Sequence, residues 1–414
     1  MIDQAIMEKY AELALRTGVN LQKGQPLMVN APVDGADFVR IVARKAYEMG
    51  AKIVHINWSD DELTLLKYEN APEEVITTVP EWLVKLYNYY AEDDAAVLSI
   101  MSSNPDLLKD VDPERIAKAN KAHAEALKNF RQYTMNDKIT WSIIAIPNSD
   151  WAQKVFPDKP KEEAVKRLWD AIVKIVRVDK DDPVAAWEKH NATLETAREV
   201  LNAKKYKKLL FKAPGTDLEL ALPEGHIWKG GSAKSEKGTT FNPNMPTEEV
   251  FSLPHKYGVN GTVSSTKPLN HGGSLIDNFT LTFKDGKVVD FKAEQGEDTL
   301  KHLLDTDDGA RRLGEVALVP HESPVSQSGL IFYNTLFDEN ASCHIALGKA
   351  YPTNLVGGAS MSDEELDKHG VNDSLIHVDF MIGSEKLNID GVKADGTTEP
   401  VFRNGTWALD VEKK

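Results

Sequence analysis

The chain has 414 residues, 41% hydrophobic and 27% charged, a globular composition too long for one ordinary core, so two domains are expected. Its formal net charge is −15 with no Lys/Arg-rich block, which makes nucleic acid and anionic membrane poor partners. No run approaches the roughly 20 apolar residues of a membrane span, and the single cysteine, Cys343, excludes an intramolecular disulfide and suits a reducing compartment.

The opening segment MIDQAIMEKYAELALRTG lacks the basic leader and cleavage site of a signal peptide, so a cytoplasmic location is expected. Within it, Ile6, Tyr10, Leu13 and Ala14 recur at helical spacing over 3–17, and Gly18 is placed to stop the helix. The apolar run PLMVNAP (26–32) reads as a buried strand. ADFVRIVARKAYEMG (36–50) is a second glycine-ended helix and AKIVHINW (51–58) the next strand. Strand, helix and strand within about 30 residues form a βαβ unit, which requires parallel pairing and a right-handed crossover. Helical patterns follow near 79–91, 113–133, 161–177 and 182–203, with the apolar run ITWSIIAIP (139–147) among them. The first 204 residues thus predict an α/β domain with a mostly parallel sheet.

From about residue 205 strands dominate: LLFKAP, TDLELALP, LTLTFKDGKVVDFKAE, EVALVP and IHVDFMIG. TFKDGKVVDF is a hairpin with Asp285-Gly286 at its turn. Residues 205–414 are expected to form a second, β-rich α+β domain, with the helix 182–203 connecting or bracing the two.

Four segments of this second half place polar, chemically capable side chains on strands and tight loops: FNPNMPTEEVFSLP (241–254), RRLGEVALVP (311–320), ASCHIALGKAY (341–351) and IHVDFMIG (376–383). His377 and Asp379 are two apart in a β-branched stretch, so both leave the same face of a strand, available as metal ligands or simply bonded to each other. The flanking Val378 and Phe380 require burial on the opposite face too. Glu315 opens the strand EVALVP, His344 lies in a stretch of strand character, and Tyr351 follows Gly348. Cys343 points away from His344 and reads as a buried structural thiol. Glu248 and Glu249 repel if buried together without a cation. They sit either in a loop entering a strand or in the first turn of a capped helix, and local pattern leaves both open. His255, His271, His321 and Glu322 read as surface or loop residues. GTTFNPNMP and NHGGS lack the spacing of a nucleotide motif, and neither HExxH nor GxSxG occurs.

Taken together, NMPTEEVF, RLGEVALVP, LFDENASCHIALGKAY and HVDFMIG resemble, in order and spacing, the aminopeptidase T / aminopeptidase S (PepS) family of dinuclear metallo-aminopeptidases. GVNLQKGQPLMVNAP, GTDLELALP and NGTVSSTKPL extend the resemblance over nearly the whole chain. It implies an α/β N-terminal domain, a β-rich metal-bearing domain, and a homodimer whose active sites face an enclosed cavity. It also implies metal ligands at Glu249, Glu315, His344, Tyr351, His377 and Asp379, and leaves Glu248 as candidate general base. Three carboxylates, two imidazoles and a phenol exceed what one catalytic zinc uses. They suit two divalent ions (Zn, Co or Mn) roughly 3.5–4 Å apart. The expected activity is removal of N-terminal residues from short peptides with a free N-terminus. Competing readings are a two-metal hydrolase of another amide or a phosphoester, and a non-catalytic metal-binding protein. Against the phosphoester, the four segments offer only Arg311, Arg312 and Lys349 as cations.

Overall fold

A computed structural model describes residues 3–102, 104–271 and 274–411. Gly272 and Gly273 of the NHGGS stretch lie outside the described residues, as do Met1 and Ile2. The chain divides into two compact units, Met1–His190 with Ser232–Pro246, and Asn191–Gly231 with Thr247–Lys414. The division falls inside the long helix Pro183–Lys204. Among the described residues no helix is long and apolar enough to cross a membrane.

The first unit is built on four strands, β1 (Leu27–Pro32), β2 (Val54–Ser59), β3 (Ala96–Met101) and β4 (Trp141–Ala145), in the order β2-β1-β3-β4. All three pairings are parallel, as the βαβ pattern requires. Tyr10 on the first helix packs against Phe38 and Trp169 at centroid distances of 5.4 and 6.4 Å, and its hydroxyl donates to Ala145 O at 3.1 Å. That first helix, Gln4–Leu13, ends in one π-helical turn, Ala14–Gly18.

Of the elements here that escaped the sequence pattern, among them the short helices Glu73–Ile76 and Ser149–Val155, two show why. β3 follows the helix Glu81–Glu92 so closely that its apolar run merges with the helical one, and Asp94, at φ 56°, makes the break. The helix Asp61–Asn70 buries no side chain and so has no apolar stripe to read. Its signal is the Asp60 cap, whose carboxylate accepts the Leu63 N–H at 2.9 Å.

The second unit contains a nine-stranded antiparallel sheet, in which the hairpin Ser274–Lys284/Lys287–Gln295 turns at Asp285-Gly286, both at positive φ. It also contains a five-stranded antiparallel sheet. From one edge the order is His377–Met381, His344–Gly348, Leu313–Leu318, Val250–Ser252 and Lys229–Gly230. Residues directly opposite across a pair share a face, so the register assigns every side chain to a side. Val250, Val316, Leu318, Ile345, Leu347 and Phe380 face one way and belong to a single buried apolar cluster, with Val378 packed against it. Glu249, Phe251, Glu315, Ala317, His344, Ala346, His377, Asp379 and Met381 face the other way. The Val378/Phe380 face and the His377/Asp379 face are therefore both covered.

Two glycines let the backbones of this sheet close up beside the polar face. Gly348 has φ 102°, and a Cβ there would overlap the Ile376 carbonyl; a Cβ on Gly314 would overlap the carbonyls of Gly348 and Lys349. Gly348→Ala is expected to cost about 2–4 kcal/mol, from strain plus overlap. Denaturant unfolding of the metal-free protein measures this, and a loss under about 0.5 kcal/mol would refute the packing argument.

Candidate functional site

The polar face gathers four of the expected side chains around a fifth. His344 Nε2 lies 3.0 Å from Glu249 Oε2 and 3.7 Å from Glu315 Oε1. His377 Nε2 lies 3.5 Å from Glu315 Oε2 and 3.6 Å from Asp379 Oδ1. Glu315 thus turns one oxygen to each histidine. It is shared by two potential ligand groups, Glu249/Glu315/His344 and Glu315/His377/Asp379, each with ligand atoms within 4.8 Å of one another. The row Glu315–Ala346–Asp379 runs straight across three strands, and the methyl of Ala346 leaves the room between the two carboxylates. Tyr351, just past the His344 strand, stands edge-on to the His377 ring at 5.1 Å and against Phe251 at 6.0 Å. All six expected ligand positions therefore meet in one place.

The hydrogen bonds around the imidazoles show what the site lacks. His344 Nδ1 is 3.1 Å from Ser342 O and His377 Nδ1 is 2.6 Å from Lys349 O. A carbonyl only accepts, so both Nδ1 atoms carry hydrogen, and each neutral ring turns its Nε2 lone pair toward carboxylate oxygens. Acceptor facing acceptor is repulsive unless a proton or a metal ion lies between. With both rings neutral, Glu249 Oε2 and Asp379 Oδ1 are buried with no hydrogen-bond donor. The imidazole held by a backbone carbonyl is the arrangement that aims Nε2 at a metal. Orphaned oxygens, aimed lone pairs and a nitrogen-and-oxygen donor set all fit divalent cations.

The electrostatics say the same. Burial, with Asp379 and Glu249 nearby, pushes the Glu315 carboxyl up to about 7 against the pull of His344 and His377. Burial opposes a charge on His377, but Asp379 and Glu315 outweigh it and raise the imidazole to about 9. His344 is likewise held well above the ordinary histidine range, with Glu249 and Glu315 overcoming its burial. Burial and the surrounding carboxylates drive the Tyr351 phenol far up. Without metal the cluster is thus stable only by holding protons.

Glu248 and Glu249 lie in extended chain leading into the strand Val250–Ser252, so the loop-into-strand alternative holds and the capped-helix one does not. The Glu248 N–H donates to Asn340 Oδ1 at 2.7 Å. Cys343 is buried on the apolar side, its Sγ 3.4 Å from both N and O of Val319, and burial pushes the thiol up to about 12, away from any nucleophilic role. His255 Nδ1 accepts from the Tyr257 N–H at 3.2 Å, His321 Nδ1 pairs with Ser326 Oγ at 3.1 Å, His271 is on an edge strand and Glu322 is exposed. The cations near the four segments are engaged elsewhere: Arg311 with Asp305, Arg312 with Lys256 O, Lys349 with Asp373. A phosphoryl group would find none of these three cations aimed at it. One buried acid of the cluster was not anticipated, Glu339. It lies in the turn just ahead of His344, and burial with Glu249 and Asp379 alongside raises its carboxyl far above the usual range. Only its place in ENASCH, five residues before His344, hinted at it.

Two outcomes follow. A larger side chain in the central row should close the gap between Glu315 and Asp379, so Ala346→Leu is expected to weaken divalent-metal binding by roughly 10–100-fold, the size of effect that misplaced ligands produce. Calorimetric metal titration reads it, and wild-type affinity in the variant would refute the register. Because His377 and Glu315 hold protons below about 9 and about 7, a metal must displace them. Affinity should fall as pH drops through these values, with proton release seen as buffer-dependent heats. A pH-independent affinity would contradict the assignment.

The chain matches the family described as Thermophilic metalloprotease (M29) over residues 3–407. It is 61% identical over 405 residues to Aminopeptidase 2 of Geobacillus stearothermophilus, covering 98% of each chain, and 46% identical over 403 residues to Aminopeptidase T of Thermus thermophilus, covering 97% of this chain and 98% of that one. Among solved structures it superposes on wild-type AmpT from Thermus thermophilus with a TM-score of 0.91 at 45% identity, covering 98% of this chain and 99% of that one. An α/β unit and a β-rich unit are thus the architecture of a known peptidase, and the clustered acids and imidazoles fit divalent-metal use. The chain belongs to the M29 metalloproteases and is a metallo-aminopeptidase.

Proposed function

We propose that this enzyme removes N-terminal residues from short peptides, with two divalent metal ions held by Glu249, Glu315, His344, Tyr351, His377 and Asp379. The observation that carries the reading is the carboxylate of Glu315, whose two oxygens face two different imidazoles, so that it would serve both ions. Ions of this kind supply polarisation of the scissile carbonyl and acidification of the attacking water. The protein's part is positional. The Ser342 and Lys349 carbonyls fix both imidazole tautomers, and the apolar cluster behind the sheet keeps the ligand strands rigid. Glu248, next to Glu249 and outside the ligand set, takes the proton of the attacking water and returns it to the leaving amine. The donor set admits Zn, Co or Mn. The names of the relatives support a peptide substrate. The family resemblance further supports a cytoplasmic homodimer.

The test strips the protein with chelator and reloads it with Zn, Co, Mn or Mg. About two ions per chain are expected, with cleavage of free but not of N-acetylated peptides. Metal binding without cleavage of either peptide would defeat the reading. Glu248→Gln should keep its metal and lose roughly 100-fold or more in kcat, and undiminished turnover would remove Glu248 from the mechanism. Light scattering decides the oligomer, a dimer being expected and a stable monomer counting against the cavity.

A further inference from the structure

Glu339 is a buried carboxylate that the two-metal reading leaves without a task. It lies on the 3-10 turn Glu339–Ala341 and is 9% exposed. That turn packs against the strand His377–Met381, which carries Asp379. Asn340, fully buried in the same turn, ties it to the opposite side of the site: Oδ1 accepts the Glu248 N–H at 2.7 Å while Nδ2 donates to Leu336 O at 2.9 Å. Glu339 is therefore held between the segment of Glu249 and the strand of Asp379. Its charge is felt by Tyr351, and it feels Glu249, Asp379, His344 and Glu315.

No lysine or arginine pairs with Glu339 among the described residues, and its carboxylate has one hydrogen bond there, a long contact of 3.4 Å from Asn340 Nδ2. A carboxylate withdrawn from water with so little compensation implies a cation that arrives later. Glu339 belongs to neither potential ligand group, each of which already has its own imidazole and a terminal carboxylate and shares Glu315 with the other. The cation remaining in the reaction is the substrate's own. We propose that Glu339 receives the α-ammonium group of the substrate's N-terminal residue and so confines hydrolysis to the free end of a peptide. The inference rests on the aminopeptidase reading. An acetylated terminus is neutral, brings an amide to a place made for a cation, and leaves Glu339 buried and unpaired, which is the strongest form of discrimination a site can exert.

The experiment uses the metal-loaded enzyme and two probes of one shape, 3-methylbutylamine and 3-methylbutanol, with binding followed by calorimetry. Substrate discrimination is read as the ratio of kcat/KM for leucine p-nitroanilide to that for its des-amino analogue. Wild type should prefer the amine and the amino substrate by roughly 100-fold or more. Glu339→Gln should keep wild-type metal content, lose most of both preferences, and show its defect chiefly in KM. Glu339→Asp, which retains the charge with shorter reach, should recover part of the amine preference.

Loss of metal from Glu339→Gln would make the residue a ligand and overturn the proposal. A collapse in kcat with the amine preference intact would make it the base and equally overturn it. Equal binding of amine and alcohol by wild type overturns it without any variant. Failure of the wild type to cleave any peptide would instead strike the aminopeptidase reading.

Discussion

A five-stranded antiparallel sheet covered on both faces is the constraint from which the site follows. Behind it, Val250, Val316, Leu318, Ile345, Leu347 and Phe380 bury an apolar face. In front, the alternate residues of the same strands carry the acids and imidazoles. Because side chains alternate with a period of two, a slip of one residue in any strand would send its ligand into the core and a valine or leucine into the site. Hydrophobic burial on one face thus fixes the register of the chemistry on the other. Gly314 and Gly348 permit the backbone approach that this register demands, and Ala346 keeps the central row open.

The second governing fact is an excess of negative charge in a place water barely reaches. Glu249, Glu315 and Asp379 converge on two imidazoles, with Glu339 buried alongside. The conflict is answered by protons in the metal-free chain, which is why Glu315 rises to about 7 and His377 to about 9. Divalent cations answer it better, since they neutralise several carboxylates at once and use the lone pairs already aimed by the Ser342 and Lys349 carbonyls. The polar cluster adds little to folding by itself; it is a stored demand for cations that the apolar core is stable enough to tolerate.

Much of this was legible from residue pattern. The βαβ opening predicted a parallel sheet because strand and helix periods differ, and the His377/Asp379 spacing predicted a shared face. The Asp285-Gly286 hairpin was equally plain. Where the pattern failed, burial or the lack of it was the reason. Helix Asp61–Asn70 has no buried face to make a stripe, and β3 is an apolar run abutting another. The two placements of Glu248-Glu249 were separable only by strand pairing, since Val250 is a strand residue because Leu318 lies across from it.

The sequence alone determined the residue types available, their alternation along each strand and, through its motifs, the family resemblance. All of these are local or ordered along the chain. Tertiary structure alone decided that Glu315 stands between two histidines, that Ala346 separates two carboxylates, and that Glu339 joins them. Those facts depend on pairing between segments 30 to 130 residues apart in the numbering, from Glu249 to Asp379. Charge and spacing within one strand carry no information about what will lie opposite. That is set by which apolar faces bury together, a property of the whole core and not of any segment.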